Sequence, residues 1–261
     1  MQSSNNHITL RAENLSKRFG GLQVLYEINF TISGRCCYGI IGPNGAGKST
    51  LLNIMSGVLK PDAGALYWGS TRLDVLPQPK ISRLGLARTF QTPRTLTVND
   101  FTVIDNVLVG AFKCSPVNPM GYALRLPRFI RKEGQLREKA LVALATVGLA
   151  DKANVLAASL SAGERRRVEL AQAMVSDPAM LLLDEPAAGL NDEEVNELRS
   201  LLVRLSDSSI TVILIEHRVD LVLGICDRIM VLDHGVKIAE GLPEDIATDS
   251  KVVEVYLGSA P

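Results

Sequence analysis

The sequence lacks a long hydrophobic run. No stretch approaches the roughly 18 consecutive apolar residues that a membrane-spanning helix requires. The polar N-terminus, MQSSNNHITL, also lacks the apolar segment of a secretory signal peptide. We therefore expect that, if the protein works at a membrane, another chain supplies the membrane-spanning segments.

An excess of charge of either sign is also absent, because 28 lysines and arginines balance 28 aspartates and glutamates. This balance gives no indication of a nucleic-acid partner or of an anionic membrane surface. Disorder is not expected, since 46% of the residues are hydrophobic and the net charge is zero. The 261 residues are enough for one large domain or two small ones with a substantial core.

Cysteines are few and show no metal-binding or disulfide pattern. The four are Cys36, Cys37, Cys114 and Cys226, and none of them belongs to a CxxC pair. We predict reduced thiols in a cytosolic protein, with Cys36 and Cys37 as neighbours in a buried strand.

Short apolar runs alternate along the chain with segments of helical periodicity. The apolar runs have the unbroken hydrophobic character of parallel strands that are buried on both faces, and the segments between them place apolar residues at helical spacing. Such alternation predicts an α/β fold with a mostly parallel sheet. The predicted strands are 36–41, 179–185, 210–217 and 228–233, and the predicted helices are 51–58, 191–207 and 218–226.

Two other regions differ from this pattern. Around 8–14 and 22–32, polar and apolar residues alternate, which predicts an N-terminal antiparallel β subdomain. Residues 92–160 have a helical pattern with looser connections, which predicts an inserted α-helical subdomain. We expect a single domain over 1–261, with the α/β core and β subdomain in about 1–91 and 177–261 and the helical subdomain in about 92–176.

A glycine-rich segment, GPNGAGKST, lies between a predicted strand and a predicted helix. It has the pattern Gly-x-x-x-x-Gly-Lys-Ser of a Walker A phosphate-binding loop, in the context that this motif requires, and it predicts a P-loop NTPase core. The glycines let backbone N–H groups converge on phosphate oxygens, and the following helix directs its positive end at the anion. We expect Lys48 to reach the β- and γ-phosphates of ATP and Ser49 to bind Mg²⁺. The predicted ATP-binding residues are Gly42, Pro43, Asn44, Gly45, Ala46, Gly47, Lys48, Ser49 and Thr50.

A second motif, LLLDEP, places two acids at the end of a predicted buried strand. Asp184 fits the Walker B aspartate, which holds Mg²⁺ through water. Glu185 follows it directly, where a carboxylate can orient or deprotonate the attacking water. The alternative for two acids at a strand end is solvation of a loop or helix capping, and the upstream Walker A motif argues against it.

A further helix start, SLSAGERRRVEL, lies more than a hundred residues after the phosphate-binding loop. Ser161 and Glu164 have the spacing of a capping box, in which each side chain accepts a hydrogen bond from the backbone amide of the other. A phosphate could take the place of these side chains at the helix start, although an anionic Glu164 would repel it. We expect the helix to expose Arg165–Arg167 and to bury Val168, Leu170, Ala171, Met174 and Val175.

These motifs, in this order, resemble the ATP-binding subunit of an ABC transporter. The resemblance rests on the Walker A segment at 42–50, LSAGE at 160–164, the Walker B segment at 180–185 and His217 after the next strand. It implies an ATPase with ATP and Mg²⁺ as cofactors, in which Lys48, Glu185 and His217 are the catalytic residues.

The same resemblance implies roles for residues that are uninformative alone. Gln91 in RTFQTP is similar to the glutamine that contacts Mg²⁺ and couples to the membrane subunits, and His217 to the histidine that contacts the γ-phosphate. Phe19 resembles the aromatic residue that stacks on adenine, with a place in the hydrophobic core as the alternative. AAGLN at 187–191 occupies the position of the D-loop.

ABC ATPases work as dimers, and the resemblance implies that ATP is sandwiched between two chains. The Walker A motif of one chain would face Ser161, Ala162, Gly163 and Glu164 of the other, which is either a second copy or a related chain. The usual signature is Leu-Ser-Gly-Gly-Gln, so Ala162 and Glu164 depart from the family pattern.

A finer resemblance is to the ATPases of branched-chain amino acid importers. It rests on RTFQTPRTL, DEPAAGLN, LIEHRVDLVLGICDRIMVLDHG and the C-terminal VVEVYLG. It implies transmembrane permease subunits as partners, indirectly an extracytoplasmic solute-binding protein, no nucleic acid, and a location at the cytoplasmic face of the inner membrane. The alternatives are a urea or amide importer, a lipopolysaccharide exporter, a non-transport ABC protein of DNA repair or translation, and a P-loop kinase or GTPase-like module.

Overall fold

The computed structural model describes residues 9–89, 100–113, 127–206 and 210–257. Within them, the chain has the mixed α/β fold that the sequence predicts, with two sheets and helices packed on them. The strands are β1 (Thr9–Phe19), β2 (Leu22–Ser33), β3 (Cys37–Ile41), β4 (Ala63–Trp68), β5 (Thr71–Arg72), β6 (Leu86–Arg88), β7 (Met180–Asp184), β8 (Thr211–Ile215), β9 (Arg228–Asp233) and β10 (Val236–Gly241). The helices are α1 (Lys48–Met55), α2 (Gln78–Arg83), α3 (Val103–Lys113), α4 (Pro127–Thr146), α5 (Ala162–Met174), α6 (Asp192–Ser206), α7 (Val219–Ile225), α8 (Pro243–Thr248) and α9 (Ser250–Leu257).

The smaller sheet is antiparallel, with the strand order β2-β1-β4-β5 among the described residues. The side chains of Leu10, Leu15, Leu25 and Ile28 are fully buried on one face of this sheet. The alternation of polar and apolar residues in β1 and β2 therefore predicted the antiparallel sheet correctly. The contribution of β4 and β5 to it was not predicted.

The larger sheet has the order β10-β9-β3-β8-β7-β6 within the described part of the chain. Its strands are parallel except for β10, which pairs antiparallel with β9 at the edge. The carboxyl ends of β3, β7 and β8 therefore meet at one edge of the sheet, with Ile40 and Asp184 both paired to Ile215. This edge brings the Walker A and Walker B segments together.

The larger sheet separates two hydrophobic clusters. In β7, Leu181 and Leu183 belong to one cluster, which contains α3 to α7, whereas Met180 and Leu182 belong to the other, which contains α1 and the antiparallel sheet. Successive strand residues point to opposite faces, so a strand that is buried on both faces needs an unbroken apolar run. This is the physical reason for the hydrophobic runs in the sequence.

Helices α3, α4 and α5 lie within the segment 92–176, which the sequence predicts to be a helical subdomain. The division of the chain into these subdomains stays a prediction. Among the described residues, no helix combines the length and the hydrophobicity that crossing a bilayer requires.

The described cysteines are free thiols and lie close together. Cys37 is the first residue of β3 and its sulfur is 3.5 Å from that of Cys226. Cys36 precedes the strand and is only half-buried, so the prediction that both cysteines are buried strand residues holds for Cys37 alone. Burial raises the pKa of Cys36 to about 11, which makes its thiol unreactive near neutral pH. Cys114 lies outside the described residues.

Candidate functional site

The predicted phosphate-binding loop connects β3 to α1 and is shaped by its glycines. Gly42 and Gly47 have positive φ angles of 151° and 98°, a region that residues with a side chain rarely adopt. A Cβ atom at Gly42 would lie 2.0 Å from the carbonyl oxygen of Leu232, and one at Gly47 would lie 2.8 Å from that of Val24. The loop therefore excludes side chains at both glycines and keeps its backbone close to the neighbouring strands.

Lys48 begins α1 and is almost fully buried. Its ammonium group donates hydrogen bonds to the carbonyl oxygens of Gly42 at 2.7 Å and Pro43 at 2.9 Å. Burial lowers the pKa of Lys48, and the nearby carboxylates of Glu185 and Asp184 act in the opposite direction. The lysine is held inside the loop, beside both acids of the Walker B segment.

The other residues of the loop differ in exposure. Asn44 and Gly45 are exposed, Ala46 is buried, and Pro43, Ser49 and Thr50 are half-buried. Ser49 lies in the first turn of α1, one residue after Lys48. The loop thus presents an open side at its tip and a closed side against β9 and β2.

Asp184 ends β7 and is fully buried. Its Oδ2 atom accepts a hydrogen bond from Arg88 at 3.0 Å, while Oδ1 is buried and has no hydrogen-bond partner among the residues that the structure describes. Burial raises the pKa of Asp184, and Arg88 opposes this rise. A buried carboxylate oxygen without a donor fits the requirements of Mg²⁺ coordination through water, because hard oxygen atoms and water are the ligands of this ion.

Arg88 is a residue of this site that the sequence analysis missed. Its guanidinium group donates to Asp184 and also to the side-chain oxygens of Asn53 at 2.6 Å and Ser56 at 2.9 Å. Asn53 belongs to α1 and Ser56 follows it directly, so Arg88 ties the Walker B strand to the Walker A helix. Arg88 is the last residue of β6, and this position indicates a contact with Asp184 only when β6 is known to pair with β7.

Glu185 and His217 meet at the open edge of the sheet. The Nε2 atom of His217 lies 2.9 Å from Oε1 of Glu185, and both side chains are partly exposed. Glu185 has a positive φ of 48°, and its amide donates to the carbonyl oxygen of Ile215 in β8. The turn after β7 therefore directs the Glu185 side chain toward His217, the second residue after β8.

Glu216 is a second residue that the sequence analysis missed. It is buried and accepts hydrogen bonds from the amides of Ala187 at 2.6 Å and His217 at 3.1 Å. Burial raises the pKa of Glu216, and these backbone donors oppose the rise. Glu216 thus holds the start of the segment 187–191 against the turn that carries His217.

The expectation that Arg165–Arg167 are exposed is wrong, because Arg165 and Arg167 are half-buried and Arg166 is only 8% exposed. Its guanidinium group donates to the carbonyl oxygens of Glu185 at 2.6 Å and Pro186 at 3.1 Å, and it pairs with buried Glu169 at 2.7 Å. The turn after Asp184 leaves these carbonyl oxygens without strand partners, and α5 supplies the donor. The predicted burial of Val168, Leu170, Ala171 and Val175 is confirmed, whereas Met174 is half-buried.

The capping box that the sequence predicts at the start of α5 is present. Ser161 Oγ accepts from the Glu164 amide at 3.1 Å, and Glu164 Oε2 accepts from the Ser161 amide at 2.9 Å. The other carboxylate oxygen of Glu164 pairs with Lys152, which is the largest cause of the lowered pKa of Glu164. Ser161 and Ala162 are exposed, while Gly163 is buried.

The replacement of Glu164 by glutamine is expected to leave the fold intact and to maintain or raise ATPase activity. Glutamine keeps the acceptor for the Ser161 amide but loses the ion pair with Lys152, which at a partly exposed site is worth about 1 kcal/mol or less. Because the pKa of Glu164 is lowered on folding from its ordinary 4.5, this stabilisation is complete above pH 4.5 and is lost as the pH falls through the folded-state pKa. Urea unfolding of both proteins between pH 3 and pH 8, with ATPase assays at neutral pH, measures both effects. A large loss of activity in a stably folded variant would contradict this account.

Phe19 ends β1 and is 47% exposed, which excludes a place in the hydrophobic core. The ammonium group of Lys17 lies 5.5 Å from the centre of its ring. Gln91, the remaining predicted site residue, lies outside the described residues. The structure thus brings Lys48, Asp184, Glu185 and His217 to one edge of the sheet, and it exposes Ser161 and Ala162 at the start of α5.

The chain matches two families of known proteins. Residues 25–188 match the ABC transporter family, and residues 236–261 match the family of branched-chain amino acid ATP-binding cassette transporters. The chain is 39% identical to the high-affinity branched-chain amino acid transport ATP-binding protein LivG of Escherichia coli K12, over 96% of this chain and 98% of LivG. It is 38% identical to the corresponding protein BraF of Pseudomonas aeruginosa, over the same shares of the two chains.

Solved structures support the same relationship. The ADP conformation of MJ1267, an ATP-binding cassette of an ABC transporter, is 34% identical to this chain, with a TM-score of 0.84 and coverage of 97% of this chain and 99% of MJ1267. A nucleotide-free ATP-binding cassette from an ABC transporter is 33% identical, with a TM-score of 0.83 and coverage of 95% and 98%. The chain therefore belongs to the ABC transporter family, as an ATP-binding cassette.

Proposed function

We propose that this chain is the ATP-hydrolysing subunit of an importer of branched-chain or other hydrophobic amino acids. The observation that carries the solute class is the match of residues 236–261 to the branched-chain amino acid transporter family, outside the segment that matches ABC transporters in general. The similarity to LivG and BraF over 96% of the chain supports the same solute class.

The mechanism follows from the edge of the larger sheet. The backbone amides of the phosphate-binding loop and Lys48 hold the phosphates of ATP, because the glycines leave the backbone bare there. Ser49, Asp184 and Gln91 hold Mg²⁺, which when bound neutralises charge on the phosphates. Phe19 stacks its exposed ring on adenine. The ammonium group of Lys48 has three N–H donors, so it can contact the phosphates while it donates to the carbonyl oxygens of Gly42 and Pro43.

Glu185 acts as the general base for the attacking water, and His217 orients it and senses the γ-phosphate. Their side chains are 2.9 Å apart and both are accessible to a ligand at the open edge. The carbonyl oxygen of Glu185 is fixed by Arg166, so the carboxylate starts from a rigid backbone. Such positioning is the main requirement for hydrolysis of a phosphoanhydride bond.

The site is completed by a second cassette, either another copy or a related chain. Ser161, Ala162, Gly163 and Glu164 of one cassette face the ATP held by the other, since a helix start offers amides to an anion. Closure of the pair drives transmembrane permease subunits, to which an extracytoplasmic solute-binding protein delivers the solute. The chain works at the cytoplasmic face of the inner membrane and has no nucleic-acid partner.

Uptake of labelled leucine and labelled urea tests the solute class. Cells that lack the gene are expected to lose leucine uptake, to recover it with the wild-type gene, and not to recover it with a gene that carries Glu185→Gln. Loss of urea uptake with unchanged leucine uptake would instead indicate a urea or amide importer. If neither changes, the membrane proteins that co-purify with the chain distinguish a lipopolysaccharide exporter from an importer.

A further inference from the structure

The start of α5 is contacted by a carboxylate from another helix, in addition to the carboxylate of its own capping box. Glu194, in the first turn of α6, places Oε1 3.2 Å from the amide nitrogen of Gly163 and accepts its hydrogen bond. A Cβ atom at Gly163 would lie 2.6 Å from the same oxygen, so this close approach depends on glycine. The Glu194 carboxylate therefore covers the backbone of Gly163.

Glu194 is held there by a second pair of hydrogen bonds. Its Oε2 atom accepts from the Asn191 amide at 3.1 Å, and its own amide donates to Oδ1 of Asn191 at 2.9 Å. This reciprocal pair is the geometry of a capping box. One carboxylate thus bridges the start of α5 and the start of α6.

The contact with Glu194 affects one residue in particular at the start of α5. Ser161 and Ala162 are exposed at the start of α5, but Gly163 is buried, and the Glu194 carboxylate lies against it. Glu164, the acid within the signature, is turned away toward Lys152 and the Ser161 amide. Of these two acids, Glu194 is the one that accepts the hydrogen bond of the Gly163 amide.

We propose that Glu194 takes, in the free chain, the place of the neighbouring cassette's γ-phosphate at the Gly163 amide, and that closure on ATP requires its release. The proposal rests on the proposed function, because it assumes that Gly163 faces the ATP of a second cassette. Two anions cannot share one N–H donor without repulsion. The contact therefore raises the ATP concentration at which two cassettes close.

The replacement Glu194→Gln tests this competition. Glutamine retains the length of the side chain and one acceptor oxygen, but it removes the charge that repels the γ-phosphate. In a Glu185→Gln background, the variant is expected to form dimers at an ATP concentration at least about fivefold lower than the parent. Sedimentation velocity across an ATP titration, with the chain alone and with a related ATPase subunit, measures the midpoint of dimerisation.

Glu193→Gln is the matched control, because Glu193 is exposed on the same first turn of α6. It removes one negative charge from the same helix start and is expected to leave the midpoint unchanged. An equal shift in both variants, or a higher ATP requirement in Glu194→Gln, would overturn the proposal while leaving the sandwich dimer intact. Absence of any ATP-dependent dimer in the parent, with either partner, would overturn the proposed dimer and this proposal with it.

Discussion

The replacement of Glu185 by glutamine is expected to preserve ATP binding and to lower the rate of ATP hydrolysis at least about a hundredfold, the typical contribution of a general base. Glutamine has the size of glutamate and leaves the backbone contacts of residue 185 with Ile215 and Arg166 unchanged. It cannot accept a proton from the attacking water. The ATP-bound dimer should therefore accumulate, because closure no longer leads to hydrolysis.

Release of phosphate by the purified chain and sedimentation in the presence of ATP measure the two effects. Glu193→Gln is again a suitable control, since it removes an exposed carboxylate that has no proposed role in catalysis. Wild-type turnover in Glu185→Gln would show that Glu185 is not the catalytic carboxylate. Glu216 is not ready to replace it, because its two carboxylate oxygens already accept hydrogen bonds from the amides of Ala187 and His217.

The replacement of Arg88 by methionine is expected to lower the free energy of unfolding by about 3–5 kcal/mol, the usual effect of removing one partner from a buried ion pair. Asp184 is fully buried, and Arg88 is 10% exposed, so solvent cannot replace the lost charge. The variant also leaves Asn53 and Ser56 without their shared donor. The carboxylate that loses its arginine partner is that of Asp184, which we propose holds Mg²⁺.

Urea unfolding in EDTA gives the change in stability without a contribution from bound metal. Arg72→Met is the control, because Arg72 pairs with Asp74 at the same distance of 3.0 Å but is 48% exposed. Its expected cost is smaller than that of Arg88→Met, because the loss of an exposed arginine from an ion pair changes stability little. The loss of stability in Arg88→Lys should lie between the losses in Arg88→Met and Arg72→Met. An ammonium group cannot donate to Asp184, Asn53 and Ser56 in the fork geometry of arginine. Equal stabilities of Arg88→Met and the wild type would refute the buried ion pair.

Much of the fold could be predicted because each local pattern agrees with its tertiary environment. The run 228–233 is the strand β9, and the predicted strand 179–185 differs from β7 by one residue at each end. The unbroken apolar runs require burial on both faces of a sheet, and Gly42 and Gly47 require a backbone that other residues rarely adopt. The order of strands in the larger sheet, by contrast, depends on contacts between segments far apart in the sequence.

The candidate site likewise has residues that the sequence predicts and residues that only tertiary contacts identify. The glycine-rich loop, Asp184 and Glu185 are recognisable because the roles that we propose for them depend on neighbours in the sequence. Arg88 has its role because β6 lies beside β7, and Arg166 is buried because α5 passes below the turn after Asp184. A helical pattern gives the spacing of residues but not which neighbour covers them, so the exposure of Arg166 was predicted wrongly.

The sequence by itself determined the α/β class, the glycine-rich loop after β3, the pair of acids after β7 and the capped start of α5, because each depends on local spacing, glycine freedom or periodicity. Only the tertiary structure decided which charges are paired at a distance. It placed Arg88 on Asp184, His217 on Glu185 and Glu194 on the Gly163 amide. These pairs join residues that lie 31 to 96 positions apart in the sequence. Strand order and helix packing bring such segments within hydrogen-bonding distance, and no local pattern in the chain encodes that distance.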